Sequence, residues 1–197
     1  MPGIDAARTF VALKIAVLTV SDTRVLADDK SGTVLAERIE AAGHVLADRK
    51  IVPDDVAEIR AMVQGWIDDP AIDAVITTGG TGFTGRDVTP EAVEPLFEKR
   101  MEGFSTVFHM ISGFSTVFHM ISFAKIGTST LQSRATAGVA RSTYIFCLPG
   151  SPGACKDGWD EILVNQLDVR YRPCNFVEIL PRLDEHLRRD KAKGASV

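Results

Sequence analysis

The chain has 197 residues, of which 45% are hydrophobic, and a formal net charge of −4. This size and composition suffice for one compact domain that buries its own core without disulfides or structural metal. The acidic balance gives no positive field for nucleic acid, and the apolar runs fall short of the roughly 18 residues that a membrane span needs.

The first half of the chain predicts strands and helices in alternation. Residues 14–20 form a continuous aliphatic run, which is typical of a strand buried on both faces of a parallel sheet. Residues 31–42 have helical apolar spacing and stop at Gly43, and residues 45–52 form the next predicted strand. Either Asp54 or Asp55 can cap the helix that follows, so the cap stays open between them.

The same alternation continues to the end of the predicted domain. Residues 72–78 predict a third strand, and Thr89 places a capping hydroxyl before Pro90 at the first position of a helix. Residues 143–148 predict a fourth buried strand, followed by a helix over residues 154–166. Such alternation predicts an α/β fold with a mostly parallel, doubly wound sheet and helices on both faces, a three-layer single domain.

A segment of ten residues occurs twice in tandem. Residues 103–112 recur without change as residues 113–122, a period far below the ~20 to 50 residues of solenoid units. Apolar residues in each copy follow the i, i+3, i+4, i+7 spacing of one helix face. We expect both copies to be helical and the second to extend one helix that packs against a neighbouring subunit.

A glycine-rich loop follows the third predicted strand. Its residues Gly79, Gly80, Thr81 and Gly82 lie between that strand and a helix start, where backbone N–H groups can converge on an anion. The formal G-x-G-x-x-G match follows the wrong strand and lacks the acidic partner, and the P-loop match lacks its Lys. The loop is therefore a candidate phosphate cradle or, alternatively, a plain glycine turn.

Three carboxylates follow the ends of three predicted strands. Asp22, Asp54 and Asp87 are expected at one rim of the sheet, and Mg²⁺ prefers oxygen ligands shared with substrate phosphates. This pattern makes Asp54 and Asp87 candidate metal ligands. The plainer alternatives are a helix cap for Asp54 and a turn residue for Asp22.

Two later segments offer further polar groups. The turn at residues 148–153 contains Pro149, Gly150 and Ser151 between a strand and a helix, where it either receives a second anion or a pterin edge or serves as a rigid connection. Ser133 and Arg134 can bind phosphate, although Arg134 can equally form a surface ion pair.

The cysteines and the N-terminal residues bear on the compartment. Three cysteines without Cys-x-x-Cys spacing argue against a disulfide framework and a zinc site. No apolar signal segment is present before residue 14, so we expect a cytoplasmic protein that binds neither nucleic acid nor membranes.

These motifs resemble the molybdopterin-binding MoaB/MogA family of molybdenum cofactor biosynthesis, which includes the G domain of gephyrin. Residues 77–92 look like the family signature, and residues 20–23, 52–54, 133–138 and 148–153 match its other segments in order. The tail over residues 159–176 resembles the MoaB branch. The resemblance covers residues 14–182, leaving residues 1–13 as an extension and residues 183–197 as a tail.

The resemblance implies a homotrimer or dimer of trimers that binds molybdopterin and, in active members, transfers AMP from Mg-ATP to its terminal phosphate. It also implies other cofactor-biosynthesis proteins as partners. A non-catalytic scaffold or carrier for pterin or nucleotide is the alternative function. The implied catalytic and metal residues are Asp54 and Asp87, and the implied ligand-binding residues are Ser21, Asp22, Gly79, Gly80, Thr81, Gly82, Ser133, Pro149, Gly150 and Ser151.

Overall fold

A computed structural model describes residues 2–102 and 127–185. In chain order its elements are β1 (Gly3–Ile4), β2 (Lys14–Val20), α1 (Lys30–Ala41), β3 (Val45–Val52), α2 (Val56–Asp68), β4 (Ala74–Thr78), α3 (Thr89–Val93), β5 (Lys99–Arg100), β6 (Thr136–Ala140), β7 (Thr143–Leu148), α4 (Pro152–Gly158), α5 (Val164–Gln166), β8 (Tyr171–Arg172) and α6 (Phe176–Ile179). A π-helical turn, Trp159–Leu163, joins α4 to α5. The duplicated segment, with its predicted helix, lies outside the described residues.

Six strands form one sheet in the order β3-β2-β4-β7-β6-β5. Strand β2 pairs in parallel with both β3 and β4, and β4 pairs in parallel with β7. The chain therefore runs from β2 to one edge and then returns to the other side of β2. This reversal is the switch point at which open α/β sheets bind ligands, beyond the carboxyl ends of the strands.

The sheet is covered on both faces, as the continuous apolar runs predict. Ile15 and Val17 of β2 pack into one core with Leu35 of α1 and Trp159 of the π-helical turn. Ala16, Leu18 and Val20 alternate with them and pack on the opposite face against α2 and α3. Strand residues alternate between faces, so a strand that is apolar at every position needs a layer on each side. The three-layer α/β prediction is confirmed.

The strict alternation of strand and helix is wrong near residue 140. Strands β6 and β7 form an antiparallel hairpin, and β5 adds a further antiparallel edge strand. The hairpin reverses at Arg141, which adopts a φ of 51°. Hairpin turns usually announce themselves by Asn-Gly or Asp-Gly, because those residues tolerate positive φ. Arg141-Ser142 carries no such signal, so the sequence pattern missed β6.

The open choice of helix cap is decided in favour of Asp55. Its carboxylate accepts from the backbone N–H groups of Ala57 (2.8 Å) and Glu58 (3.0 Å), which caps α2. Asp54 therefore does not cap α2, which was the alternative explanation for this residue. Among the described residues, no helix is both long and apolar enough to cross a membrane.

Asp29 is a buried carboxylate that ties α1 to the sheet. It is 1% exposed, caps α1 through the N–H of Gly32 (2.9 Å) and accepts from the Thr19 hydroxyl (2.7 Å) and from Arg49 (2.9 Å). Burial alone would raise its pKa, but the hydrogen bonds from Thr19, Arg49 and Gly32 and the Arg49 charge outweigh burial and lower the pKa. Helix α1, β2 and β3 therefore meet at one carboxylate.

We expect Asp29→Ala to lower the free energy of unfolding by about 3–5 kcal/mol, because it leaves the Arg49 guanidinium without its buried partner. Urea unfolding followed by circular dichroism measures this change. Asp28→Ala is the matched control, since the neighbouring Asp28 is exposed and its loss should stay within about 0.5 kcal/mol. Equal effects of the two substitutions would contradict the role given to Asp29.

Candidate ligand site at the carboxyl edge of the sheet

The loops that follow β2, β3, β4 and β7 meet at one edge of the sheet. The N–H of Ser21 donates to the carbonyl of Val52 (2.9 Å), which joins the end of β2 to the end of β3. The N–H of Gly79 donates to the carbonyl of Leu148 (3.2 Å), which joins the end of β4 to the end of β7. The predicted site residues in these four loops are therefore neighbours in space.

Two glycines set the path of the glycine loop. Gly79 has a φ of 106° and Gly80 a φ of 63°, both in the region that disfavours residues with a Cβ. A Cβ on Gly79 would overlap the Val20 carbonyl oxygen, and one on Gly80 would overlap the Thr89 hydroxyl. The loop thus passes directly over the end of β2, and only glycine fits at both positions.

Thr89 stabilises this loop in a way that the sequence did not predict. The prediction gave it a helix-capping hydroxyl, but Thr89 is the first residue of α3 and its hydroxyl donates to the carbonyl of Gly79 (2.8 Å). Its own N–H donates to the carbonyl of Gly80 (2.9 Å). The side chain is fully buried, and a buried hydroxyl takes the acceptor that the close packing offers. The capping prediction is wrong.

Asp87 folds back onto the glycine loop. Its carboxylate accepts from the N–H (2.9 Å) and the hydroxyl (2.6 Å) of Thr84. Burial would raise its pKa, but these bonds, a bond from the N–H of Gly82 and the charge of Arg134 together lower the pKa. Asp87 is therefore a carboxylate held in its charged form at the loop.

Asp22 and Asp54 lie beside Asp87. The N–H of Asp54 donates to the carboxylate of Asp22 (3.2 Å), and Arg86 forms an ion pair with Asp22. The pKa of Asp54 is raised, first by burial and then by the negative charges of Asp22 and Asp87, which the charge of Arg86 only partly offsets. The predicted rim of three carboxylates is thus an electrostatically coupled group.

The carboxylates do not make a complete metal site from protein groups alone. Within the described ranges, no cluster of three or more His, Cys, Asp or Glu side chains has the geometry to hold a metal ion. A cation at this edge would therefore need oxygen ligands from a substrate, which is how Mg²⁺ is commonly held beside phosphates.

Arg134 contacts the glycine loop from the segment that precedes β6, and Ser133 is its neighbour in the chain. Arg134 donates from Nε to the carbonyl of Gly82 (2.7 Å) and from Nη2 to the carbonyl of Asp87 (2.7 Å). It also forms an ion pair with Glu91. The Ser133 hydroxyl accepts from the N–H of Ala135 (3.3 Å). The alternatives for Arg134 were phosphate binding and an ion pair, and the ion pair is present. The contacts with the carbonyls were not predicted.

The second glycine turn lies against the first. A Cβ on Gly150 would come within 3.1 Å of the Gly79 Cα, so the two turns touch through their backbones. The carbonyl of Pro149 accepts from the Thr78 hydroxyl (2.9 Å), and the Ser151 hydroxyl caps α4 by accepting from the N–H of Ala154 (3.1 Å). The rigid-connection alternative for this turn thus has direct structural support.

Arg24 is a polar residue of this edge that the sequence analysis missed. Its guanidinium donates to the hydroxyl of Ser31 (3.0 Å) and to the carbonyl of Gly150 (3.3 Å), joining the loop after β2 to the second glycine turn. No motif marks it in the sequence. Its position directly after Ser21, Asp22 and Thr23 is the signal that could have found it.

Comparisons with known proteins agree with this architecture. The family described as "Probable molybdopterin binding domain" matches residues 16–169. Molybdenum cofactor biosynthesis protein B of Escherichia coli K12 is 48% identical over 167 residues, covering 85% of this chain and 92% of that protein. Its counterpart in Bacillus subtilis 168 is 40% identical over 151 residues, covering 77% of this chain and 84% of that protein.

Solved structures show the same similarity. A crystal structure of molybdenum cofactor biosynthesis protein B superposes with a TM-score of 0.71 at 32% identity, covering 92% of this chain and 99% of the other. The tungsten cofactor synthesizing protein MoaB from Pyrococcus furiosus superposes with a TM-score of 0.64 at 37% identity, covering 77% of this chain and 91% of the other.

We expect Asp54→Asn to raise the melting temperature at pH 7. Because the folded protein disfavours the charged form of Asp54, ionisation lowers stability, and a neutral amide removes that loss. The advantage should shrink as the pH falls through the raised pKa of Asp54, and it should vanish below the ordinary value of about 3.9. Thermal unfolding between pH 3 and pH 7 is the measurement.

Asp55→Asn is the matched control for this experiment. Asp55 caps α2, and Asn caps helices about as well as Asp, so its substitution should be nearly neutral at each pH. A lower melting temperature for Asp54→Asn at pH 7 would show that attraction to Arg86 outweighs the repulsion among the carboxylates.

Proposed function

Because the chain belongs to the molybdopterin-binding family of molybdenum cofactor biosynthesis, we propose that it binds molybdopterin and transfers the adenylyl group of Mg-ATP to the terminal phosphate of the pterin. One observation carries the proposal. The glycine loop and three electrostatically coupled carboxylates lie at the same edge of the sheet. This edge is the switch point, and the path of the loop there requires glycine at residues 79 and 80. Ligands of open α/β sheets bind at that edge.

The chemistry requires positioning more than a protein nucleophile. A terminal phosphate oxygen of molybdopterin attacks the α-phosphorus of ATP, forming a new P–O bond while the bond to the β-phosphate breaks and pyrophosphate leaves. The protein's part is to align the two phosphates and offset their charge. Cys155, which contacts the end of β4, is consistent with this requirement. It lies against Thr78, and burial raises the pKa of its thiol to about 11, so it does not supply a thiolate nucleophile.

Two carboxylates would hold Mg²⁺. Asp54 and Asp87 are the family's implied metal ligands, and the repulsion that raises the pKa of Asp54 is what a nearby cation would relieve. Bound Mg²⁺ would neutralise charge on the phosphates during transfer. The backbone N–H groups of Gly80, Thr81 and Phe83 would then be offered to phosphate, because the N–H of Gly79 is bonded to Leu148.

A second function, binding without turnover, is favoured by one observation. The Asp87 carboxylate already accepts bonds from Thr84 and Gly82 of its own loop. A carboxylate used in this way supports the loop's shape and has less capacity left for a metal. A scaffold or carrier for pterin or nucleotide would need the loop but not the metal.

One assay separates the two functions. The protein is incubated with molybdopterin, Mg²⁺ and ATP labelled at the α-phosphate, and the products are separated to detect adenylylated pterin and pyrophosphate. Stoichiometric release of both supports the transferase. Tight pterin binding by calorimetry without either product would make the chain a carrier and refute adenylyl transfer.

We also propose that the chain assembles as a homotrimer or a dimer of trimers and works with other cofactor-biosynthesis proteins. Strand β3 forms an edge of the sheet, and a cleft of about 450 Å³ lined by Val52, Met62 and Trp66 lies beside it. Unpaired edges and apolar clefts are commonly covered by association. The molar mass from multi-angle light scattering tests this proposal, and a monomer would refute it.

We expect Asp87→Asn to reduce adenylyl transfer about 100-fold or more while pterin binding persists. Asn keeps an oxygen that can accept from Thr84 but loses the negative charge. Metal contacts stabilise the transition state by several kcal/mol, and each loss of about 1.4 kcal/mol lowers the rate tenfold. Single-turnover kinetics and calorimetry measure the two quantities. Asp69→Asn is the control, because Asp69 likewise accepts from a backbone N–H, that of Ala71, but lies before the amino end of β4. Unchanged turnover in Asp87→Asn would remove Asp87 from metal binding.

A further inference from the structure

Arg134 contacts the glycine loop through the loop's carbonyl groups. Besides its two side-chain bonds to the carbonyls of Gly82 and Asp87, its backbone N–H donates to the carbonyl of Thr81 (2.8 Å). The guanidinium also lies over the Phe83 ring, 5.4 Å from its centroid. Arg134 thus binds three carbonyls of one loop, two through its guanidinium and one through its backbone N–H.

This arrangement fixes where the loop's N–H groups point. In a planar trans peptide, the carbonyl of one residue and the N–H of the next point in opposite directions. Because the carbonyls of Thr81 and Gly82 point toward Arg134, the N–H groups of Gly82 and Phe83 point away from it. The loop therefore has a carbonyl face on Arg134 and an amide face opposite.

The donors of Arg134 are used inside the protein. Nε and Nη2 donate to carbonyls, Nη1 is paired with Glu91, and the side chain is only 26% exposed. Each of the three guanidinium nitrogens thus already has a partner inside the protein, so that three of the five N–H donors of the guanidinium are used. Its planar fork suits the spacing of several acceptors, which a lysine ammonium on a flexible stem would not reproduce.

We propose that Arg134 is a positioning residue that holds the loop over residues 81–87 with the N–H groups of Gly82 and Phe83 turned toward the ligand side, and that it does not contact the ligand itself. This inference rests on the proposed function for its consequence, since a loop held in this orientation is what pterin or nucleotide phosphate would bind. The contacts of Arg134 with the loop, which we call the brace, are present in the protein without ligand.

Hydrogen exchange of the ligand-free protein tests the brace directly. Arg134→Met keeps the aliphatic stem, and Arg134→Lys keeps the charge but loses the fork. In both variants we expect the N–H groups of Thr84, Asp87 and Thr89 to exchange roughly tenfold faster or more, because bonds to charged groups contribute roughly 1.5–3 kcal/mol each. Exchange in β2 and β4 should keep its rate.

Arg141→Met is the matched control. Arg134 and Arg141 flank the same strand, β6, and each pairs with a carboxylate, but Arg141 lies at the opposite end and pairs with Asp68. Its substitution should leave exchange in the loop unchanged. Faster exchange in the loop of this control, or across the sheet of the Arg134 variants, would show a general loss of stability and overturn the local brace.

Calorimetric titration with molybdopterin and with ATP gives the second measurement. Both Arg134 variants should bind at least one ligand roughly tenfold more weakly, with lysine failing to rescue. Normal exchange with weakened binding, or rescue by lysine, would make Arg134 a direct phosphate contact and overturn the proposal. Fast exchange with normal binding would overturn it as well.

A wild-type protein that binds neither ligand would refute the proposed function and, with it, the ligand-positioning part of this inference. The exchange data would still decide the brace, so the two failures can be told apart.

Discussion

The close approach of Gly79 to the end of β2 is the constraint from which the candidate site follows. With no Cβ at this position, the chain leaves β4, passes over the Val20 carbonyl and reaches the start of α3, where the Thr89 hydroxyl binds the Gly79 carbonyl. The loop is thereby held against its own helix start and against the second glycine turn at Gly150. A larger residue at Gly79 would force these loops apart.

Charge is arranged around this loop in an asymmetric way. Arg134 lies on the carbonyl face and the carboxylate of Asp87 on the amide face, so the loop is stabilised by opposite charges from two sides. Asp54 is compensated only in part, by the charge of Arg86, and its pKa is raised by burial and by its acidic neighbours. Groups held in unfavourable electrostatic environments cluster at functional sites, where stability is lost in exchange for activity. The loop favours the charged form of Asp87, whereas the surroundings of Asp54 disfavour its charged form.

The sequence was sufficient for features that depend on local pattern. Continuous apolar runs located β2 and β7 to the residue, and the glycines of the loop at residues 79–82 marked the site, because each signal comes from chain neighbours. Features that depend on distant partners were not predictable. The Thr89 hydroxyl donates to a carbonyl ten residues away and does not cap its helix. The hairpin at Arg141 forms without a turn signal in the sequence. The carbonyls that accept from the Arg134 side chain lie 47 and 52 residues earlier in the chain. Tertiary packing decided all three.

The described residues on the two sides of the duplicated segment are held in place by backbone hydrogen bonds, one to β6 and one to the glycine loop. The N–H of Met101 donates to the Ala137 carbonyl on one side, and on the other the N–H of Arg134 donates to Thr81 just before β6 begins. Ten residues added between fixed ends leave the register of both anchors unchanged. The contacts between Arg134 and the glycine loop are therefore made in a chain that carries the duplication, by residues that lie outside it.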